Sequence, residues 1–170
     1  TIALNSAGTT GSFEGIYQGN TVATAAVATM TVNITNNNIS NVLTGAASAS
    51  ALAGINNIFP WGVLTVSDNI IKGNSSTATT GGFTGISNSG AVATTINITN
   101  NQLGDAGANA ITFSAATSGA VIGIANTGGA AASSINITGN SLTKFVHTVT
   151  GTSIHTYLNN SVACTKIGRA

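Results

Sequence analysis

Residues that could carry acid–base chemistry are few and far apart in this chain. Its only acidic residues are Glu14, Asp68 and Asp105, and its four basic residues are equally scattered. Proton abstraction from a sugar, or cleavage of a glycosidic bond, needs two or three such groups that converge on one point. The three acids occupy different positions of the repeat described below, so no carboxylate pair is predicted. We therefore expect that the protein is not an enzyme.

The two histidines are the other candidates for site chemistry. His147 and His155 could approach each other, but two imidazoles without a carboxylate or thiolate partner make a weak metal site. We interpret them as residues that pack at a surface or an edge. Cys164, the only cysteine, is interpreted as a small apolar residue near the end of the fold. No phosphate-binding loop, nucleophile elbow or zinc spacing is present, so the sequence predicts no metal and no cofactor.

Two short motifs recur along the chain, and the elements that they form must position any functional side chains. The first motif is apolar-polar-apolar-polar-x-Asn-x-apolar, and its copies are 32–39, 64–71, 96–103 and 135–142. The second is apolar-x-Gly-apolar, and its copies are 13–16, 52–55, 83–86 and 121–124, with a looser copy at 154–157. In the looser copy Thr156 stands where the glycine is expected. Repeats of this length are typical of solenoid proteins.

The motifs predict strands rather than helices, because their period is two and they are crowded with β-branched residues and Asn. Three short strands per rung, each paired with its counterpart one rung away, make a parallel β-helix. We expect one all-β domain over 1–170 with about five rungs of 31–39 residues. This domain can be a segment of, or a subunit in, a longer solenoid. Gly, Ala, Ser, Thr and Asn dominate the predicted loops, which are 19–29, 44–50, 74–82, 105–119 and 127–132.

Inward residues of successive rungs are expected to stack into five apolar columns, which together form a continuous core. The second motif supplies two columns: Phe13, Leu52, Phe83, Val121; and Ile16, Ile55, Ile86, Ile124. The first motif supplies three: Val32, Leu64, Ile96, Ile135; Ile34, Val66, Ile98, Ile137; and Ile39, Ile71, Leu103, Leu142.

Two further columns consist of Asn and are interpreted as structural ladders. Asn tolerates the left-handed conformation that a sharp turn needs, and stacked side-chain amides can hydrogen-bond along a column. The first column is Asn37, Asn69, Asn101 and Asn140. The second is Asn57, Asn88, Asn126 and Asn159, with Gln18 at the equivalent position of the first turn.

Outward positions of the first motif predict a flat, uncharged array with about 4.8 Å between rungs. Its members are Thr31, Asn33, Thr35, Thr65, Ser67, Thr95, Asn97, Thr99, Ser134, Asn136 and Thr138. The array resembles the Thr-rich faces of β-helical ice-binding proteins, so a binding module for ice or a glycan is an alternative function. The plainer interpretation is that outward strand positions favour Thr.

The Gly-Ile and Asn-Ile-Thr motifs, and Gly-Gly-Ala-rich linkers such as the one after Asn126, resemble a known repeat family. They are similar to right-handed parallel β-helix repeats in large secreted surface proteins of Bacteroidetes-type bacteria. The resemblance covers about 13–160 and implies export to an extracellular or cell-surface location. It says little about activity, because such repeats serve adhesins, filaments, polysaccharide lyases and phage tailspikes.

Composition narrows the expected partners. Charged residues make up 4% of the chain and the net charge is +1, so no nucleic acid is expected. No apolar run approaches the roughly 18 to 20 residues of a membrane span.

The open ends of a β-helix expose the edges of strands, and a net charge near zero does not oppose the stacking of one copy on another. We therefore expect a structural or adhesive protein whose partner is itself or adjacent β-helix repeats, end to end, with a polysaccharide lyase or hydrolase the least favoured function.

Overall fold

The computed structural model describes residues 4–6, 12–19, 27–40, 43–45, 49–107, 110–129, 134–162 and 166–167. These residues are all-β, and none of them belongs to a helix that is long and apolar enough to cross a membrane. The strands, numbered in chain order, form four parallel sheets. Cys164 lies outside the described residues.

Sheets A, B and C each contain one short strand from each of five passages of the chain, and sheet D contains four strands among the described residues. Sheet A contains β1 (Leu4–Ser6), β5 (Leu43–Gly45), β9 (Ser75–Ser76), β13 (Ile111–Phe113) and β17 (Phe145–His147). Sheet B contains β2 (Ser12–Gln18), β6 (Ala51–Asn57), β10 (Phe83–Asn88), β14 (Val121–Asn126) and β18 (His155–Asn160). Sheet C contains β3 (Val27–Thr35), β7 (Trp61–Ser67), β11 (Thr95–Thr99), β15 (Ser134–Thr138) and β19 (Lys166–Ile167). Sheet D contains β4 (Asn38–Ser40), β8 (Ile70–Lys72), β12 (Gln102–Leu103) and β16 (Ser141–Leu142).

The order of the strands makes the fold a parallel β-solenoid. Successive strands of the chain belong to sheets A, B, C and D in turn. The next strand is again in sheet A, where it pairs with the preceding strand of that sheet. Each inner strand pairs in parallel with strands from the preceding and following passages, which we call coils, and each outermost strand pairs with one of them. The expectation of a parallel solenoid is therefore confirmed.

The predicted apolar columns are in register and form the core. Phe83 pairs with Leu52 and Val121, and Ile96 pairs with Leu64 and Ile135. All twenty predicted residues belong to the core. Fifteen are buried, and five in the end coils are partly buried: Phe13, Ile16, Val32, Ile137 and Leu142. Alternation in sheet C puts every second residue inside, which is why the sequence pattern predicted this register correctly.

The glycine of the second motif allows sheet B to approach sheet D. In β10 both Gly85 and Ile86 are buried, so the alternation of buried and half-buried residues shifts by one at the glycine. A Cβ atom on Gly85 would lie 2.1 Å from Cδ2 of Leu103 and 2.7 Å from the carbonyl oxygen of Gly123. Only glycine fits this contact, which explains the apolar-x-Gly-apolar spacing.

Sheet A was not predicted. The expectation of three strands per rung was wrong, because segments assigned to loops contain β5, β9 and β13. Ile111 and Phe113 of β13 are both 1% exposed, and the Phe113 ring meets Phe83 edge-on at 6.1 Å between centroids. Strands of two or three residues show too little alternation to be recognised, and pairing with neighbouring coils holds them extended.

The loose fifth copy of the second motif is shifted by one residue. His155, not Ile154, pairs with Val121, and Leu158 pairs with Ile124, so Tyr157 rather than Thr156 lies at the glycine position. In this register Leu158, and not the larger Tyr157, stands beside Ile124 in the inward column.

Candidate functional site

The first Asn column is a continuous ladder of side-chain hydrogen bonds. Nδ2 of Asn37 donates to Oδ1 of Asn69, Asn69 donates to Asn101, and Asn101 donates to Asn140, each at 2.9 Å. The same oxygens also accept the backbone N–H of the preceding Asn at 3.0–3.1 Å. Asn69 and Asn101 are buried, so these bonds satisfy groups that would otherwise be costly inside the core.

The left-handed residue of each turn is the neighbour of the ladder Asn and not the ladder Asn itself. Asn36, Asp68, Asn100 and Gly139 have φ values of 58°, 57°, 56° and 67°. Our expectation that the ladder Asn takes this conformation was wrong. The two roles belong to adjacent residues. The left-handed residue turns the backbone between sheets C and D, and the Asn that follows it supplies the side-chain amide of the ladder.

The second ladder ends on a different residue from the one predicted. Nδ2 of Asn57 donates to Asn88 at 2.8 Å, Asn88 donates to Asn126 at 2.7 Å, and Asn126 donates to Asn160 at 2.7 Å. Asn159 pairs with Ala125 in β14 and lies outside the ladder. The one-residue shift of β18 is the physical reason.

Both ladders are polar in the same direction. In every bond the donor amide belongs to the earlier coil and the accepting Oδ1 to the later coil. The N-terminal Oδ1 of the second ladder, on Asn57, accepts from Nε1 of Trp61 at 2.9 Å. The two ends of each ladder are therefore chemically different.

The predicted outward array has the expected register. Thr35, Ser67, Thr99 and Thr138 form one file across sheet C, and Asn33, Thr65, Asn97 and Asn136 form the next. The third file is Thr31, Val63, Thr95 and Ser134, in which Val63 interrupts the polar series. Nδ2 of Asn136 donates to Oδ1 of Asn97 at 2.8 Å. Sheet C thus carries an uncharged, half-exposed polar surface on these four coils, which we call the Thr/Asn face.

The three acids lie in three different parts of the solenoid. Glu14, on the outer face of sheet B, accepts a hydrogen bond from Nδ2 of Asn56 at 2.8 Å. Asp68 is the left-handed turn residue between sheets C and D. Asp105 follows sheet D and forms an ion pair with Lys72 at 3.1 Å. The carboxylates of Glu14 and Asp105 therefore make local contacts, and Asp68 occupies a turn.

The two histidines are brought together. Nε2 of His147, the last residue of β17, lies 2.8 Å from Nε2 of His155, the first residue of β18. The His147 ring stacks on Phe113 at 4.7 Å between centroids and 17° between planes. Burial, and secondarily the neighbouring His155, lowers the pKa of His147. Among the described residues no group of three or more His, Cys, Asp or Glu could hold a metal ion.

Apolar side chains are exposed along β18, an outermost strand of sheet B. Ile154, just before the strand, is 73% exposed, and Tyr157 and Leu158 within it are 57% and 51% exposed. Leu158 also borders a cavity of about 200 Å³ that reaches the core residues Ile124 and Leu142. We call Ile154, Tyr157 and Leu158 the β18 edge.

Comparison with known proteins gives no family assignment. No protein-family model, no curated protein and no solved structure matches the chain.

Proposed function

We propose that this chain is a non-enzymatic structural or adhesive module of an extracellular bacterial surface, and that it assembles end to end with a second copy of itself. The observation that carries the proposal is the β18 edge, where two large apolar side chains of an outermost strand and one just before it are exposed. An edge strand offers backbone N–H and C=O groups to a partner strand, and exposed apolar side chains favour covering it.

The polarity of the Asn ladders supports head-to-tail stacking. In the first ladder every bond between side-chain amides is donated toward the later coil, so this ladder could continue only if the C-terminal end of one copy met the N-terminal end of the next. Contacts between two different surfaces of the same chain extend into filaments when the rotation does not close a ring. A net charge of +1 gives little repulsion between copies.

We also propose that the solenoid winds in the right-handed sense and has about five rungs. Connections between parallel strands of one sheet are right-handed in about 98% of cases. Sheets A, B and C each contain five strands in the described part of the chain. The extracellular location rests on the resemblance of the Gly-Ile and Asn-Ile-Thr motifs to exported repeat proteins.

Electron microscopy of the untagged full chain over a range of concentrations tests the assembly. We expect fibres that become longer and more numerous with concentration, with a rise of about 24 Å per subunit for five coils. Discrete particles of monomer size at every concentration would contradict self-assembly and leave an isolated module.

Binding of ice or a glycan through the Thr/Asn face is the second candidate. The alignment of three outward files over four coils favours it, because a regular spacing can match a repeating ligand. Catalysis has the least support: Glu14 and Asp105 are engaged by Asn56 and Lys72, and Asp68 lies in a turn.

A further inference from the structure

The side chains of His147 and His155 converge more closely than ordinary packing requires. Their Nε2 atoms are 2.8 Å apart, and the rings are tilted by 55° with centroids 4.8 Å apart. Phe113 stacks on one face of His147 and holds that ring in position. His147 ends β17 of sheet A and His155 begins β18 of sheet B, and pairing with β13 and β14 respectively holds the two backbones in place.

We propose that His147 and His155 form a two-imidazole site for a divalent transition metal of the copper or nickel type. In the pair as it stands, one Nε2–H donates to the lone pair of the other Nε2. When the donor ring moves its proton to Nδ1, both Nε2 atoms carry a lone pair, and a rotation of the two rings turns these lone pairs from facing each other toward one metal ion beside the N–N line. This tautomer change releases no proton overall, and it leaves two neutral imidazoles, which are the commonest protein ligands for such metals.

The separation of the two nitrogens favours tetragonal over tetrahedral coordination. With metal–nitrogen distances of about 2.0 Å, two cis ligands at a right angle lie about 2.8 Å apart, and two tetrahedral ligands about 3.3 Å apart. The hydrogen-bonded pair already has a separation of 2.8 Å, so the two nitrogens could bind such a metal after the rings turn, without moving apart. Square-planar or tetragonal geometry is typical of Cu²⁺ and Ni²⁺, and Cu²⁺ binds most tightly in the usual order of divalent metals.

The surroundings leave room for the remaining ligands. A cavity of about 330 Å³ borders both rings and is lined by Thr148, Thr150, Gly151 and Ser153. Water molecules in this cavity can complete the coordination, with the hydroxyl groups of the loop as hydrogen-bonding partners. The site does not depend on end-to-end assembly.

Titration of the full chain with Cu²⁺ at pH 7.5, followed by calorimetry and electron paramagnetic resonance, tests the site. The chain has no other histidine, so coupling to imidazole nitrogens can come only from this pair. We expect one Cu²⁺ per chain, an axial spectrum with coupling to two nitrogens, weaker binding of Ni²⁺ and Zn²⁺, and none of Mg²⁺ or Ca²⁺. Coupling to fewer than two imidazole nitrogens, or tighter binding of Zn²⁺ than of Cu²⁺, would overturn the proposal.

Three variants locate the metal. His147→Ala and His155→Ala should each weaken Cu²⁺ binding by at least about tenfold, and Cys164→Ser should leave it unchanged. Circular dichroism checks that each variant is folded. In the unmodified chain, substoichiometric Cu²⁺ should broaden the NMR signals of the two imidazoles and of Phe113 first. Cu²⁺ affinity retained without either histidine, or lost with Cys164, would refute the assignment.

Discussion

The side-chain amide of Asn126 donates to Oδ1 of Asn160 at 2.7 Å, and the neighbouring Asn159 takes no part in the ladder. Two chemically identical residues in one strand therefore have different environments. Replacing each in turn separates the contribution of the ladder from that of the residue type.

Asn160→Ala should destabilise the protein by about 1 kcal/mol, because the amide of Asn126 loses its acceptor. Asn159→Ala should change the free energy of unfolding by less than about 0.5 kcal/mol. Urea denaturation followed by circular dichroism measures both. Equal effects of the two substitutions would show that the ladder does not end on Asn160.

Gly85→Ala should lower the free energy of unfolding by about 1–3 kcal/mol, the usual range for an overpacked core. Its methyl group would meet Cδ2 of Leu103 and the carbonyl oxygen of Gly123, and the backbone oxygen cannot move aside as a side chain can. Thermal or urea unfolding gives the value. Thr84→Ala, at the adjacent outward position, is the matched control and should be nearly neutral; a neutral Gly85→Ala would contradict the close contact between sheets B and D.

The double variant Ile154→Lys, Tyr157→Lys should abolish fibres while leaving the circular dichroism spectrum unchanged. Both side chains are exposed on the β18 edge, so lysine costs little in the single chain but opposes covering by a second copy. Negative-stain microscopy and light scattering are the measurements. The control, Ser89→Lys with Thr127→Lys, adds the same charge at exposed positions between sheets B and C of earlier coils. Fibres that persist in the first variant, or vanish in both, would argue against the β18 edge as the contact.

Thr99→Lys with Thr138→Lys should abolish ice or glycan binding if the Thr/Asn face is a binding surface. The two residues are neighbours in one outward file, so two lysines would interrupt its spacing and add like charges side by side. Thermal hysteresis and retention on immobilised glycans are the readouts. Thr84→Lys, on the outer face of sheet B, controls for added charge. Binding that survives the double substitution would remove this face from consideration.

The sequence alone determined the parts of the fold that depend on strict local spacing. Ile96 and Ile98 are inward, and Asn97 and Thr99 outward, because residues alternate between the two faces of a strand. The recurrence of this pattern fixed which residues pair between coils, and so predicted the core, the Thr/Asn face and the first Asn ladder. The repeated apolar-x-Gly-apolar motif located sheet B for the same reason.

Only the tertiary structure decided the features that depend on contacts between coils. Sheet A exists because segments such as Ile111–Phe113 are held extended by neighbouring strands, and two or three residues carry no readable period. The shift of β18, which put Asn160 into the ladder, places Leu158 beside Ile124. The contact of His147 with His155 likewise depends on two strands of different sheets, because β17 ends close to the point where β18 begins. Local pattern specifies which way a side chain points, whereas hydrogen bonding and packing between distant segments specify what it meets.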